Sequence, residues 1–105
     1  MLLSRTSPTM RPSEILAAKA DEIREIIARY PVRNPRIFGS AARGDDAEGS
    51  DLDLLVDPLE GTTYFDLAGL ELELGELLGI KIDIATPGAL RRELAERIGP
   101  ELKPL

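Results

Sequence analysis

Two aspartates, Asp51 and Asp53, stand one residue apart at the start of a segment that otherwise has the alternation of a half-buried strand. Successive side chains of a strand point to opposite faces, so both carboxylates are expected on the same face. Asp83 is expected on the polar face of a later strand, two residues after Lys81. If those strands are neighbours, three carboxylates converge and repel one another, and Lys81 can neutralise at most one of them. A divalent cation removes this repulsion, so the pattern predicts a magnesium site at Asp51, Asp53 and Asp83.

A glycine–serine pair, Gly39-Ser40, follows a short predicted strand and is expected to contact phosphate. A glycine directly after a strand lets the backbone approach a ligand closely. Exposed amides and the Ser40 hydroxyl suit phosphate oxygens. Arg43 could add a guanidinium to the same phosphates, and the alternative for this residue is an ordinary surface cation.

The composition narrows the chemistry that these residues can support. The chain of 105 residues has no cysteine and no histidine, which excludes a thiolate or imidazole metal site, a cysteine nucleophile and a histidine base. Any metal must therefore be held by oxygen ligands, which favours magnesium, manganese or calcium. The net charge of −6 argues against direct binding to nucleic acid. Because no run of about 18 apolar residues is present, the sequence predicts no membrane segment, and we expect a cytoplasmic domain.

Hydrophobic periodicity predicts alternating helices and strands within one domain of residues 12–105, preceded by a flexible arm of residues 1–11. The predicted elements, in chain order, are a helix from Pro12 to Tyr30, strands over 36–38 and 51–57, a helix over 64–78, a strand over 80–85, and a last helix that contains Leu90 and ends at Gly99-Pro100 before a short tail. Asp45, Asp46 and Glu48 are predicted to form a solvated acidic loop. This alternation indicates an α/β fold with a small mixed β-sheet flanked by helices.

The spacing of these residues is similar to that of a known superfamily. Gly39-Ser40, ten further residues and then Asp51-Leu52-Asp53 give the pattern GSx10DxD. This pattern resembles the DNA polymerase beta-like nucleotidyltransferases, and the fuller string FGSAARGDDAEGSDLDLLVD resembles their minimal nucleotidyltransferase (MNT) subgroup. MNT proteins of this kind are the antitoxin half of HEPN/MNT toxin–antitoxin pairs. The resemblance spans roughly residues 12–94 and implies a polymerase beta-like nucleotidyltransferase fold.

The resemblance also implies a reaction and a role for each residue of the pattern. Gly39 and Ser40 would bind the nucleotide, Asp51 and Asp53 would hold two magnesium ions, and Asp83 would complete the site and activate the acceptor hydroxyl. The reaction implied is transfer of AMP from ATP, with release of pyrophosphate, to a tyrosine of a HEPN-type toxin, which silences a ribonuclease. The sequence departs from the subgroup at Ala41, where arginine is frequent, although Arg43 is kept.

Several alternatives stay open at this stage. The aspartates taken alone could be the solvent-facing edge of a strand. The protein could neutralise a HEPN ribonuclease by steric binding without catalysis, or transfer a nucleotide to the hydroxyl of a small molecule. Because the domain is small, part of the acceptor pocket is expected to come from a partner or from a second copy of the chain. The sequence does not fix the acceptor, the preferred nucleotide, the number of nucleotides transferred or the oligomeric state.

Overall fold

One mixed sheet organises residues 10–105, the part of the chain that the computed structural model describes. Its strands are β1 (Val32–Phe38), β2 (Leu52–Pro58), β3 (Ile82–Ala85) and β4 (Lys103–Pro104). They lie in the order β3-β2-β1-β4, with β1 antiparallel to β2 and β4, and with β2 parallel to β3. The helices of the described residues are α1 (Pro12–Ala18), α2 (Ala20–Ile27), α3 (Ser40–Arg43), α4 (Tyr64–Leu78) and α5 (Arg92–Ile98). The predicted small mixed sheet flanked by helices is confirmed.

The main core lies on one face of the sheet. Apolar side chains of α2, α4 and the first three strands meet there, and the most buried are Ile23, Leu52, Leu54, Val56, Leu70 and Leu74. Leu55 and Ile98 are also buried but lie outside this cluster. Because Leu55 alternates with Leu54 and Val56, it occupies the opposite face, the same face as Asp53. The alternation predicted for β2 therefore holds, and it directs Asp53 away from the main core.

Helix α4 has the predicted bounds because both of its ends carry strong local signals. The Thr63 hydroxyl accepts a hydrogen bond from the Asp66 N–H at 3.2 Å, and the Asp66 carboxylate accepts one from the Thr63 N–H at 2.9 Å. This reciprocal capping satisfies two amides of the first turn. Gly79 ends the helix in the left-handed conformation, with φ of 70°. None of the helices in residues 10–105 combines the length and the apolar content needed to cross a membrane.

Two predicted bounds near the start of the domain are wrong. The predicted single helix from Pro12 to Tyr30 is two helices, because the backbone leaves the helical region at Lys19 (φ −120°, ψ 24°). Strand β1 begins four residues earlier than predicted, since a register shift between Arg33 and Arg36 accommodates Pro35, which has no N–H to donate. The positive φ of Asn34, 54°, lies within this irregularity.

Strand β3 and the C-terminal region also differ from the sequence-based expectation. Strand β3 begins at Ile82 rather than at residue 80. Leu90 precedes α5 in an extended conformation, so the last helix is shorter than predicted. The predicted tail is ordered as a 3-10 turn (Gly99–Glu101) followed by β4, and the Leu105 N–H donates to the Pro35 carbonyl at 3.0 Å. A two-residue strand has no periodicity to detect, which is why the sequence did not predict β4.

Asp46 is buried, with 5% of its surface exposed. Its carboxylate accepts hydrogen bonds from the backbone N–H of Ser13 at 2.8 Å and from the Ser13 hydroxyl at 2.9 Å. That N–H lies in the first turn of α1, where no acceptor exists within the helix. The prediction of a solvated loop is therefore wrong for Asp46, although Asp45 and Glu48 are exposed. Arg11, at the end of the predicted arm, lies 3.6 Å from the same carboxylate, and residues 1–9 of that arm lie outside the described residues.

We expect Asp46→Asn to lower the free energy of unfolding by about 2 kcal/mol at neutral pH, because it removes a charged acceptor from a buried pair of hydrogen bonds. Burial, the largest influence, would raise the pKa of Asp46, but hydrogen bonds from Ser13 and from its own backbone, with the Arg11 charge, together lower it below the ordinary 3.8. A lowered folded pKa means that the stabilisation is complete above 3.8 and is lost as the pH falls through the folded value.

Urea unfolding of the wild type and of Asp46→Asn measures this contribution directly. The gap between them should be wide at about pH 7 and should narrow towards about pH 3. Asp21→Asn is the matched control, since the Asp21 side chain is 97% exposed, and it should change little at either pH. A gap that is the same at both pH values would contradict this assignment.

Candidate functional site

The predicted site residues gather at one end of the sheet. Phe38, the last residue of β1, is paired with Asp53 of β2, and Asp53 is paired with Asp83 of β3. These three residues form a row across adjacent strands. Asp51 directly precedes β2 at the same end, and Gly39 directly follows β1. The strand order therefore brings the glycine of one motif to the aspartates of the other.

Gly39 and Asp53 are in direct contact. A Cβ atom added at Gly39 would lie 2.3 Å from Oδ2 of Asp53, closer than any real pair of such atoms. The backbone at Gly39 has φ of 77° and ψ of −158°, a region that essentially only glycine occupies. Glycine is thus required here both by the conformation and by the space that the Asp53 carboxylate fills.

Helix α3 is a single turn that begins directly after Gly39. Ser40 is its first residue and Arg43 its last, and Gly44 ends it with φ of 81°. Arg43 Nη1 lies 3.0 Å from Oε2 of Glu101, and its Nε lies 3.2 Å from Oδ2 of Asp45. The bond to Asp45, the largest influence, and the bond to Glu101 raise the pKa of Arg43, so it stays charged. Ala41, the position where the subgroup often has arginine, belongs to the buried core.

A cavity of about 390 Å³ opens at this end of the sheet. Its walls come from the end of β1, from α3, from β2, from α5 and from the following turn, and the lining residues are Phe38, Gly39, Arg43, Asp53, Leu94, Arg97, Ile98 and Glu101. Cavities of this size are typical of small-ligand sites. Gly39, Arg43 and Asp53 of the predicted set line it, whereas Ser40, Asp51 and Asp83 flank that lining.

The electrostatics of the site centre on Asp53, which is half-buried. Burial, and then the charges of Asp83 and Asp51, raise its pKa, and the charge of Glu101 adds to this effect. Arg43 opposes the shift without cancelling it. Asp53 therefore lies in an excess of negative charge, which any bound cation would relieve.

The donor chemistry of the three aspartates fits a hard divalent cation. Carboxylate oxygens are what magnesium prefers, and the raised pKa of Asp53 indicates uncompensated negative charge. Within residues 10–105, no three acidic, histidine or cysteine side chains are gathered tightly enough to enclose an ion as they stand. Asp51 Oδ2 lies 3.9 Å from the Lys81 ammonium, an exposed pair that costs little to break. Asp51, Asp53 and Asp83 are the residues that would hold the ion.

Glu101 is a site residue that sequence reasoning missed. The Gly39 N–H donates to Oε1 of Glu101 at 3.1 Å, although the two residues are 62 positions apart. Leu94 and Arg97 of α5 line the same cavity and were also missed. Nothing in the local sequence around Glu101 marks it, because its contact depends on the path of the C-terminal segment across the sheet.

Comparison with known proteins agrees with this geometry. The family model described as a nucleotidyltransferase domain matches residues 20–103. A candidate protein adenylyltransferase of Methanocaldococcus jannaschii is 40% identical over 73 residues, which cover 70% of this chain and 78% of that protein. The protein adenylyltransferase MntA of Thermococcus cleftensis is 37% identical over 84 residues, which cover 80% of this chain and 82% of that protein.

Solved structures show the same fold. The structure of a candidate minimal nucleotidyltransferase aligns with a TM-score of 0.78 and 42% identity, covering 89% of this chain and 95% of that chain. A toxin–antitoxin crystal structure with AMP-PNP aligns with a TM-score of 0.69 and 17% identity, covering 80% of this chain and 69% of that one. The complex of a tri-AMPylated HEPN toxin with its MNT antitoxin from Shewanella oneidensis aligns with a TM-score of 0.60 and 16% identity, covering 88% of this chain and 70% of that one. The last two likenesses show the fold alone. The chain belongs to the nucleotidyltransferase domain family and is a nucleotidyltransferase with the minimal polymerase beta-like fold.

Proposed function

We propose that this protein transfers AMP from ATP to a hydroxyl, that of a tyrosine, on a HEPN-type toxin, and so acts as the antitoxin of a pair. The observation that carries the proposal is the contact of the Gly39 backbone with Asp53 at the wall of a cavity of about 390 Å³. The names of the similar proteins support it, since they include a protein adenylyltransferase from Thermococcus cleftensis. The tri-AMPylated state of the Shewanella toxin supports a protein acceptor.

The nucleotide would lie along the cavity with its phosphates towards α3. The Gly39 N–H and the Ser40 hydroxyl donate to phosphate oxygens, and the Arg43 guanidinium neutralises part of their charge. The buried alanines of α3 fix this turn against the core, so the donors are held in place before the nucleotide arrives. These groups orient the α-phosphate towards the aspartates.

The transfer is a displacement at the α-phosphorus of ATP. The acceptor oxygen forms a bond to that phosphorus, the bond from the phosphorus to the bridging oxygen breaks, and pyrophosphate leaves. The proton of the acceptor hydroxyl passes to the Asp83 carboxylate. Magnesium, when held by Asp51, Asp53 and Asp83, would neutralise the charge that develops on the attacking and leaving oxygens.

A protein acceptor suits the open form of the site. The domain supplies the walls around the phosphates but is small, so a partner must complete the acceptor side. The net charge of −6 would suit a basic, RNA-cleaving partner. We propose that the reaction takes place in the cytoplasm, with ATP as the substrate and magnesium as the cofactor. A second copy of the chain could complete the acceptor side instead of the toxin.

The test is a transfer assay with α-labelled ATP and magnesium, with the protein and a candidate HEPN-type toxin from the same genome. Label is expected on a tyrosine of the toxin and only when both proteins are present. A toxin in which that tyrosine is changed to phenylalanine is the matched control and should stay unlabelled. Magnesium-dependent nucleotide binding with no label on any protein would contradict protein adenylylation, and label on an added aminoglycoside would assign a small-molecule acceptor.

Steric neutralisation is a second candidate function, and one observation favours it. Helix α4 exposes three large apolar side chains, with Tyr64, Phe65 and Leu72 at 83%, 85% and 66% exposure. Such a surface can bind a partner without any chemistry. The double variant Asp51→Asn/Asp53→Asn separates the two functions. It should still neutralise the toxin if neutralisation is steric, and it should no longer neutralise the toxin if neutralisation requires adenylylation.

A further inference from the structure

The C-terminal segment places a carboxylate on the two groups that would otherwise face a phosphate. Oε1 of Glu101 accepts from the Gly39 N–H at 3.1 Å, and Oε2 lies 3.0 Å from Arg43 Nη1. The Glu101 side chain is only 19% exposed and lines the cavity. One carboxylate thus bridges a backbone amide and a guanidinium with its two oxygens, as a phosphate group would.

The charge of Asp53 opposes this placement of Glu101. Glu101 adds its charge to a site where Asp51 and Asp83 already act on the half-buried Asp53. Within residues 10–105 the hydrogen-bond partners of Glu101 are the Gly39 N–H and Arg43, and Arg97 lines the same cavity. The neighbouring Asp53 carboxylate repels Glu101, so these contacts gain less than the same contacts would without that charge.

The segment that carries Glu101 is attached to the sheet by few contacts. Glu101 ends the 3-10 turn and is followed by β4, which pairs only with Arg36 and Ile37 at the edge of the sheet. Lys103 and Pro104 of β4 are exposed, whereas Leu105 is partly buried against the main core. The Leu105 N–H donates to the Pro35 carbonyl at 3.0 Å, and the Leu105 carbonyl accepts from Arg24 Nε at 3.5 Å. Short edge elements with exposed side chains open at low free-energy cost. The segment can therefore leave the sheet once the contacts of Leu105 are broken, while the central strands of the main core stay folded.

Building on the proposed function, we propose that Glu101 competes with ATP for the phosphate subsite formed by Gly39 and Arg43. In the closed state the carboxylate occupies that subsite, and the segment 99–105 must move before the triphosphate can bind. Only the open fraction of the protein binds nucleotide, so the apparent affinity is lowered by that fraction. The C-terminal segment thereby sets the nucleotide concentration at which the enzyme becomes occupied.

Calorimetric titration with AMP-PNP and magnesium tests this competition in the full chain. Glu101→Gln removes the charge and keeps the shape, and Glu101→Ala removes the whole group. We expect the Kd to fall about tenfold in Glu101→Ala and by a smaller factor in Glu101→Gln, because the closed state loses its charge-assisted contacts. Glu96→Gln, at an exposed position of α5, is the matched control and should bind as the wild type does.

Hydrogen exchange gives a readout that a merely structural role of Glu101 would not produce. In the wild type, AMP-PNP should speed exchange of the Leu105 amide, which is bonded to Pro35 in the closed state, while amides of the core strands stay protected. An unchanged or weaker affinity in both Glu101 variants would overturn the competition, and a weaker one would place Glu101 in the nucleotide site itself. Tighter binding without any transfer to a toxin would uphold the competition and reject the proposed function. Absence of nucleotide binding in the wild type and in all variants would reject both.

Discussion

Asp53→Asn is expected to reduce adenylyl transfer by about 10³-fold while leaving the domain at least as stable as the wild type. The carboxylate lies in the central strand of the row Phe38, Asp53 and Asp83, and it is the one of the three proposed metal ligands that lines the cavity. Asparagine keeps the size and removes the charge, so the loss reports on the charge. The measurement is the initial rate of label transfer at saturating ATP and magnesium.

The expected stability of Asp53→Asn follows from the direction in which the pKa of Asp53 is shifted. Burial and the charges of Asp83 and Asp51 raise the pKa of Asp53 above its ordinary 3.8. A carboxylate with a raised folded pKa costs no stability below 3.8 and destabilises the fold as the pH rises through the folded value. At neutral pH without metal, Asp53→Asn should therefore melt at the same or a higher temperature than the wild type. Added magnesium should raise the melting temperature of the wild type more than that of the variant.

Asp57→Asn is the control on the same strand and the same face. Asp57 lies at the far end of β2, where hydrogen bonds from Asn34 and Arg36 lower its pKa. Its replacement should lower the melting temperature and leave the transfer rate unchanged, the reverse of the Asp53 result. If both variants lost activity in proportion to lost stability, Asp53 would have no chemical role.

The sequence predicts best those features that are decided by neighbours along the chain. The bounds of α4 follow from Thr63 and Gly79, which act within a few residues. The faces of β2 follow from strict alternation, which directs Asp53 away from the main core, whereas Asp51 lies just before the strand. Periodicity indicates the α/β class, and the family resemblance then adds the polymerase beta-like fold, which periodicity does not specify.

The features that the sequence does not predict depend on contacts between distant segments. Asp46 is buried because α1 needs an acceptor 33 residues away, and nothing near Asp46 indicates this need. Glu101 enters the cavity because two residues of β4 pair with β1. Lys19 breaks the first helix although the apolar spacing continues past it, so periodicity alone does not locate this break. Charged residues in short connecting segments are thus the ones whose roles require the three-dimensional structure.

Gly39→Ala is the second substitution with a large expected effect, because it strains the backbone and also displaces a side chain of the candidate site. The added Cβ would lie 2.3 Å from Oδ2 of Asp53, and the φ of 77° at this position is strained for alanine. We expect the free energy of unfolding to fall by about 2–4 kcal/mol, from backbone strain together with displacement of the Asp53 side chain. Transfer should fall by about 10²-fold or more at temperatures where the variant is folded, since the moved carboxylate no longer faces the cavity.

Gly61→Ala separates the two causes of this loss. Gly61 also has a positive φ, 88°, but a Cβ there would meet no atom within 4 Å. Its replacement should cost only the backbone term, about 1 kcal/mol, and leave transfer unchanged. The excess loss of stability in Gly39→Ala then contains the contact with Asp53 together with the additional strain of the ψ of −158° at Gly39.

A double-mutant cycle tests that contact directly. Adding Asp53→Ala to Gly39→Ala removes the atoms that the new methyl group would strike, so the pair should be more stable than the sum of the single changes predicts. The double variant should remain inactive, because it lacks the Asp53 carboxylate even though the steric clash has been removed. Additive effects on stability would mean that a Cβ atom at position 39 does not clash with Asp53. Glycine would then be required for its backbone conformation alone.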